Sequence, residues 1–287
     1  MNINSRIIIT ALICGIVIAG CKPKITFDSE AKNDIVFDSI MVSEKYYLLG
    51  DSTNPYCSLE SGFIFPADYK DKEILNKLIS HFIISFFGED TAFITPREAV
   101  DNYVRTYIDD YKELESDFSI EANITGEKPS QESWYAYYES SSNEILYNKC
   151  SLISYTVSVE YYTGGAHGGH GYNNHVLSII TGEEIDETDI FIDNFNDSLA
   201  QIIVDVIALD NNVNDPEDLE SMGYFNIKEI YPNNNFFIDE NGITYTFNEY
   251  EIAAYSVGRI DVALPYEKIR HLLRENSHVA PIASIIK

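Results

Sequence analysis

The sequence predicts an α+β fold of antiparallel sheets with packed helices, and three observations carry that expectation. Apolar residues recur at helical spacing over 71–88, 95–111 and 196–209. Between them, residues 152–163 alternate with period two: Ile153, Tyr155, Val157, Val159 and Tyr161 share one face, Ser154, Thr156, Ser158 and Glu160 the other. One buried and one wet face is the pattern of an antiparallel sheet. Helices and strands come in blocks without βαβ alternation, which argues against a doubly wound parallel sheet. With 287 residues, 45% of them hydrophobic, 21 Tyr and 15 Phe, the chain can fill one large or two small cores. The expected division is a small N-terminal α+β part, 46–150, and a larger C-terminal part, 151–287.

The first element is a leader. Arg6 precedes an apolar run from Ile7 to Ile18, closed by Ala19-Gly20-Cys21. That run is shorter than the ~20 residues that cross a bilayer core, and its small residues mark a cleavage point. Ile18-Ala19-Gly20-Cys21 resembles the lipobox of bacterial lipoproteins, which implies a signal peptide over 1–20 and a lipidated Cys21 at the mature N-terminus. Lys22 follows without an acidic cluster. By analogy with lipoprotein sorting, the expected place is the outer membrane facing the periplasm, with the cell surface as the alternative. Residues 21–45, polar and without periodicity, read as a tether.

From 46 to 66 the chain reads as extended. Asp71 can cap a helix whose inward positions are Ile74, Leu75, Leu78, Ile79, Phe82, Ile83 and Phe86, ended by Gly88. Thr95-Pro96-Arg97-Glu98 combines an N-cap, a proline at the first helical position and the Glu of a capping box. After a polar stretch over 121–132, strands are expected at 134–139 and 144–147, separated by Ser140-Ser-Ser-Asn143. Strands follow at 152–163 and 174–180, then a helix at 196–209. Asn241-Gly242 predicts a hairpin between 236–240 and 243–247, because both residues tolerate positive φ. A strand at 260–264 leads through Pro265 into a last helix.

The charge bounds the partners. Forty-six Asp plus Glu face 19 Lys plus Arg, a formal net charge of −27, and cleavage of the leader removes one more cation, Arg6. Such a surplus repels nucleic acid and anionic lipid and favours a basic protein, a cationic peptide or plain solubility. Of four cysteines, Cys14 lies in the leader and Cys21 in the lipobox. Cys57 and Cys150 remain, either as a disulfide in an exported protein or as two free buried thiols.

One constellation is distinctive. Tyr161-Tyr-Thr-Gly164-Gly165-Ala-His167 takes a strand out through a double glycine, with at least one glycine expected at positive φ. Further on come Asp189-Ile-Phe191, Phe247-x-x-Tyr250-x-Ile252-x-x-Tyr255-x-x-Gly258 and the run from Ile260 to Tyr266. This order resembles the extracytoplasmic domain shared by the anti-sigma factor RsiV and peptidoglycan deacetylases of the PdaC type. The match spans roughly 152–273, and the preceding region resembles more loosely the small PdaC-like N-terminal domain. Neither the sigma-binding segment and membrane helix of RsiV nor the Asp and His metal motifs of the deacetylases has a counterpart in these residues. The resemblance therefore implies a binding module without catalytic activity; in RsiV that module is a receptor for lysozyme, a strongly basic wall-degrading protein.

The remaining candidates are weaker. His167, His170 and His175 form an H-x2-H-x4-H cluster that could ligate a metal, but no Cys lies nearby and no His-Glu-x-x-His occurs, so a structural turn is preferred. Glu183, Glu184, Asp186, Glu187 and Asp189 form an acidic run that is either a contact for a cationic partner or a solvated turn leading into a helix. No Gly-x-Ser-x-Gly elbow is present and no cofactor is expected. The expected function is a lipid-anchored envelope binding module for a basic wall hydrolase such as lysozyme or for a peptidoglycan fragment. The alternatives are a peptidoglycan-modifying enzyme or a structural subunit of an envelope complex.

Overall fold

The computed structural model describes residues 32–91 and 94–285. The leader, Cys21 and the first part of the tether lie outside the described residues. The fold is α+β. Strands β1 (Val36–Tyr47), β2 (Tyr56–Asp68), β3 (Tyr137–Lys149), β4 (Leu152–Tyr162) and β5 (Gly169–Ser178) form one sheet in sequence order. Its pairs are antiparallel except β2–β3, which is parallel. The parallel step needs a long return, supplied by helices α1 (Lys72–Phe87), α2 (Pro96–Lys112) and α3 (Glu115–Thr125).

Local chemistry starts and stops these helices. The Asp71 carboxylate accepts the N–H groups of Glu73 and Ile74, and Gly88 ends α1 at φ 94°. Thr95 and Glu98 form a reciprocal capping box on α2. Leu75, Leu78, Phe82 and Ile83 of α1, with Ala99 and Val100 of α2, pack on Phe63, Ile153, Tyr155 and Leu177 of the sheet. There the Phe82 and Tyr155 rings stack at 4.0 Å.

Several expectations change. Much of the stretch read as a tether, from Val36, is strand β1, whose Ile40 is buried under the helices. It is an edge strand with one face open to solvent, so its sequence shows little hydrophobic contrast. The two strands expected around Ser140–Asn143 are one, because tertiary partners take up those polar side chains. Ser141 Oγ donates to Ser61 Oγ at 3.1 Å, while Asn143 accepts from Ile64 N at 2.7 Å and donates to Ile64 O at 2.8 Å. Helix α3 falls partly in the stretch read as polar; Phe118 is its one buried residue, too few to make a stripe. The division at 150/151 cuts the β3–β4 hairpin inside a single sheet.

The C-terminal part adds helices α4 (Glu187–Ile190) and α5 (Asn196–Asp210) and a sheet of β6 (Phe236–Ile238), β7 (Gly242–Phe247) and β8 (Ile260–Pro265). Short helices α6 (Tyr266–Ile269) and α7 (Ala280–Ile285) follow. Leu199, Ile203 and Ile207 of α5 share a core with Ile243, Tyr245, Val262 and Leu264. The hairpin at Asn241-Gly242 forms, but neither residue has positive φ. Instead the Asp239 carboxylate accepts both N–H groups, and a Cβ on Gly242 would lie 2.1 Å from the Leu264 carbonyl oxygen. Close approach, not turn type, requires that glycine.

The two sheets join along β4 and β5. Ser154 Oγ donates to Ile238 O and accepts from Ile238 N, at 2.7 and 3.1 Å. Asn235 and Asn248 accept the N–H groups of Asn174 and Tyr172, and both donate to Tyr172 O, which closes that stretch of the β5 edge. The candidate disulfide is not formed. Cys57 and Cys150 lie in separate cores, the first packed with Leu48, Tyr111, Phe118 and Tyr135, the second in the C-terminal core, where its sulfur accepts from Tyr147 Oη at 3.2 Å. Burial pushes the Cys57 thiol up to about 11, so it stays protonated.

Candidate functional site

Strand β4 leaves the sheet through Gly164 and Gly165, at φ 85° and 107°. A Cβ on Gly164 would lie 2.7 Å from the Trp134 carbonyl oxygen, whereas one on Gly165 would meet open space. The first glycine lets the loop pass against the chain ahead of β3; the second supplies only the turn. The exposed His167 ring stacks on Tyr255 at 4.0 Å, with Tyr250 next in line at 5.7 Å from Tyr255. Tyr255 Oη and His167 Nδ1 both lie within hydrogen-bond reach of Gly168 O, at 3.2 and 2.8 Å.

The three histidines do not converge. His170 and His175 lie five residues apart on β5 and so point to opposite faces. His170 Nδ1 is 2.9 Å from Glu249 Oε1, and its Nε2 is 4.0 Å from Glu160 Oε1. His175 Nδ1 meets Glu184 Oε1 at 2.7 Å. Among the described residues no group of three or more His, Cys, Asp or Glu could hold a metal ion.

The acidic run is largely occupied by the fold. Glu183 pairs with Lys77 at 2.6 Å, and that bond holds its carboxyl below the usual carboxylate range. Glu184 takes His175, while Asp186 caps α4 in a capping box with Asp189. Glu187 is buried and accepts from Asn234 N at 2.8 Å; burial raises its pKa. The carboxylates Glu183, Glu184, Asp186, Glu187 and Asp189 therefore serve a helix start and two docked loops before any partner.

A different surface carries recognition chemistry, and sequence reasoning missed it. The sheet face away from α1 and α2 is covered by the C-terminal part along β5 and at the adjoining ends of β3 and β4; over the rest of β1, β2 and β3, Met41, Ser43, Glu60, Ser140, Ser142 and Glu144 are exposed. Pairing places Tyr47 opposite Tyr56, and Tyr138 opposite Tyr162, so four tyrosines cross one end of this face. The rings of Tyr138 and Tyr162 lie 6.2 Å apart, 21° from parallel. Tyr138 Oη donates to Glu160 at 3.1 Å; burial and this bond raise its pKa, so it remains a donor at neutral pH. Below the tyrosines runs a groove of about 430 Å³ between Met41, Ser43, Glu60, Gly62, Ser140 and Ser142. Trp134 is 49% exposed and Tyr250 57% beside the same end. The alternation of Ser140, Ser142 and Glu144 was a signal for this open face, but only the β2–β3 register aligns it with Glu60 and Gly62.

A crystal structure of a DUF3298 member from Bacteroides fragilis matches 88% of this chain and 97% of its own, with 31% identity and a TM-score of 0.80. The chain belongs to the DUF3298 family. The family model, described as a protein of unknown function, matches residues 188–267. A DUF3298 protein from Pseudomonas aeruginosa shares the fold at 13% identity, with a TM-score of 0.54 over 84% of this chain and 96% of its own. No curated protein matches the chain. The part matched by the DUF3298 model contributes Glu249, Tyr250 and Tyr255, while the double-glycine hairpin and the tyrosine row come from before it.

Proposed function

We propose that this DUF3298 protein is a lipid-anchored envelope module that binds without catalysing, as the resemblance to the RsiV and PdaC-type domain implies. Cys21 is the acylated N-terminus, and the protein sits on the outer membrane facing the periplasm. The observation that carries the reading is the tyrosine end of the sheet. Exposed rings stand there beside Glu160 and Glu249, and among the described residues no Lys or Arg lies over Trp134, Tyr138, Tyr161, Tyr250 or Tyr255. Among the described residues five other tyrosines carry a cation of the chain itself, Tyr56 of the row among them. Rings and carboxylates left for an outside partner suit a basic wall hydrolase such as lysozyme, or an uncharged wall fragment.

Position supports the reading. The described chain enters beside the β3–β4 turn, where Asn33 donates to Asn148 and Leu152. That is the opposite end of the sheet from the tyrosines, separated by the 12 residues of β1, about 40 Å of extended strand. An anchor at Cys21 holds the entry end and leaves the tyrosine end for partners.

Titration calorimetry with lysozyme and with muropeptides, at low and moderate salt, tests the proposal. Binding to lysozyme should weaken as salt rises, because exposed charges are screened beyond about 8 Å at physiological ionic strength. Turnover of muropeptides would favour an enzyme instead, with His170 between Glu160 and Glu249 as its proton-transfer group. Absence of both leaves a structural subunit. Metabolic labelling with a fatty-acid analogue should mark the wild type and not Cys21→Ser.

A further inference from the structure

We infer that the open sheet face is a binding strip for a linear amino-sugar polymer free of anionic substituents, running from the tyrosine row along the serine floor. The inference rests on the proposed binding role and narrows its ligand. Sugar rings present flat C–H faces and a fringe of hydroxyls, so they need exposed aromatic rings and small hydrogen-bonding groups on a surface without steps. Tyr138 and Tyr162 supply near-parallel rings, and Glu160 lies against the Tyr138 hydroxyl. Ser142 and Ser158, 3.0 Å apart, continue the strip, with Ser140, Glu60 and Ser43 across the strands. Gly62 keeps the floor flat, since a Cβ there would press on the Met41 side chain at 3.1 Å. A strip of strand-spaced hydroxyls fits an extended polymer better than a compact protein knob.

Charge selects among polymers. The face carries Glu60, Glu144 and Glu160, while its Lys45 lies over the Tyr56 ring at 4.1 Å. Polyanions are repelled, neutral N-acetylated chains are accepted, and chains with free amines gain from the carboxylates.

The experiment is titration calorimetry of the full-length protein in detergent with hexamers of N-acetylglucosamine and of glucosamine, run separately. Both hexamers should bind, the amine form more tightly at low salt only. Tyr138→Ala should weaken both about tenfold, and Ser142→Gln, which fills the groove from an exposed position, should do the same with the melting temperature unchanged. Glu60→Gln with Glu160→Gln should abolish the preference for the amine form. Binding of neither hexamer overturns the inference, as does binding that both single variants leave intact. If the hexamers fail while lysozyme binds, only this inference falls; if lysozyme and muropeptides fail as well, the binding role falls with it.

Discussion

At the scale of single residues, the two turn glycines are not equivalent. Both hold positive φ, which costs a residue with a Cβ ~1–2 kcal/mol, but only Gly164 also faces a backbone oxygen. Gly164→Ala should therefore lower the melting temperature clearly more than Gly165→Ala; equal losses would rule out the contact with Trp134 as the reason. Glu187 offers a pH test. Burial raises its folded-state pKa, so the native chain binds this proton more tightly than the unfolded one. Its contribution is fully present below the unfolded value, about 4.5, and is lost as pH rises through the raised folded value. Glu187→Gln removes that loss, so the melting temperature of the variant minus that of the wild type should increase from pH 4 to pH 7. A difference independent of pH would mean that the carboxyl is not the titrating group.

At the scale of elements, the unusual piece is β3, a strand built around Ser140-Ser-Ser-Asn143. The register with β2 ends at Gly62–Ser142, and one residue later the Asn143 amide takes both Ile64 N–H and Ile64 C=O. A side chain thus continues the pairing beyond the strand ladder. Asn143→Ala leaves a donor and an acceptor without partners, at ~1–3 kcal/mol each if they stay dry. Urea unfolding should show a loss of at least about 2 kcal/mol, with Asn143→Asp intermediate because it keeps the acceptor alone. A wild-type midpoint for Asn143→Ala would mean that water replaces the amide. The helices were legible because their signals are local. Asp71, Gly88, Thr95, Pro96 and Glu98 act within a turn of the helix they delimit. The polar part of β3 was not legible, since its partners Ser61 and Ile64 lie about 80 residues earlier.

At the scale of the whole molecule, the parallel β2–β3 step ties the N-terminal helices to the sheet that the C-terminal part completes. A fragment of residues 151–287 would expose Ile153, Tyr155 and Leu177, each of which loses ~1.5–3 kcal/mol of burial. It should show no cooperative thermal transition, while the full chain unfolds cooperatively; a cooperative fragment would restore a domain boundary at 150/151. The sequence by itself determined the α+β class, the capped helices, the double-glycine turn and the acidic excess, because each depends on composition or on residues within a few positions of one another. The tertiary structure alone decided the rest. It turned residues 36–45 of the presumed tether into an edge strand, kept Cys57 and Cys150 in separate cores and spent the acidic run on internal bonds. It also brought Tyr47, Tyr56, Tyr138 and Tyr162 into one row, through strand register between segments as much as 80 residues apart, and register is fixed by long-range pairing that no local pattern encodes.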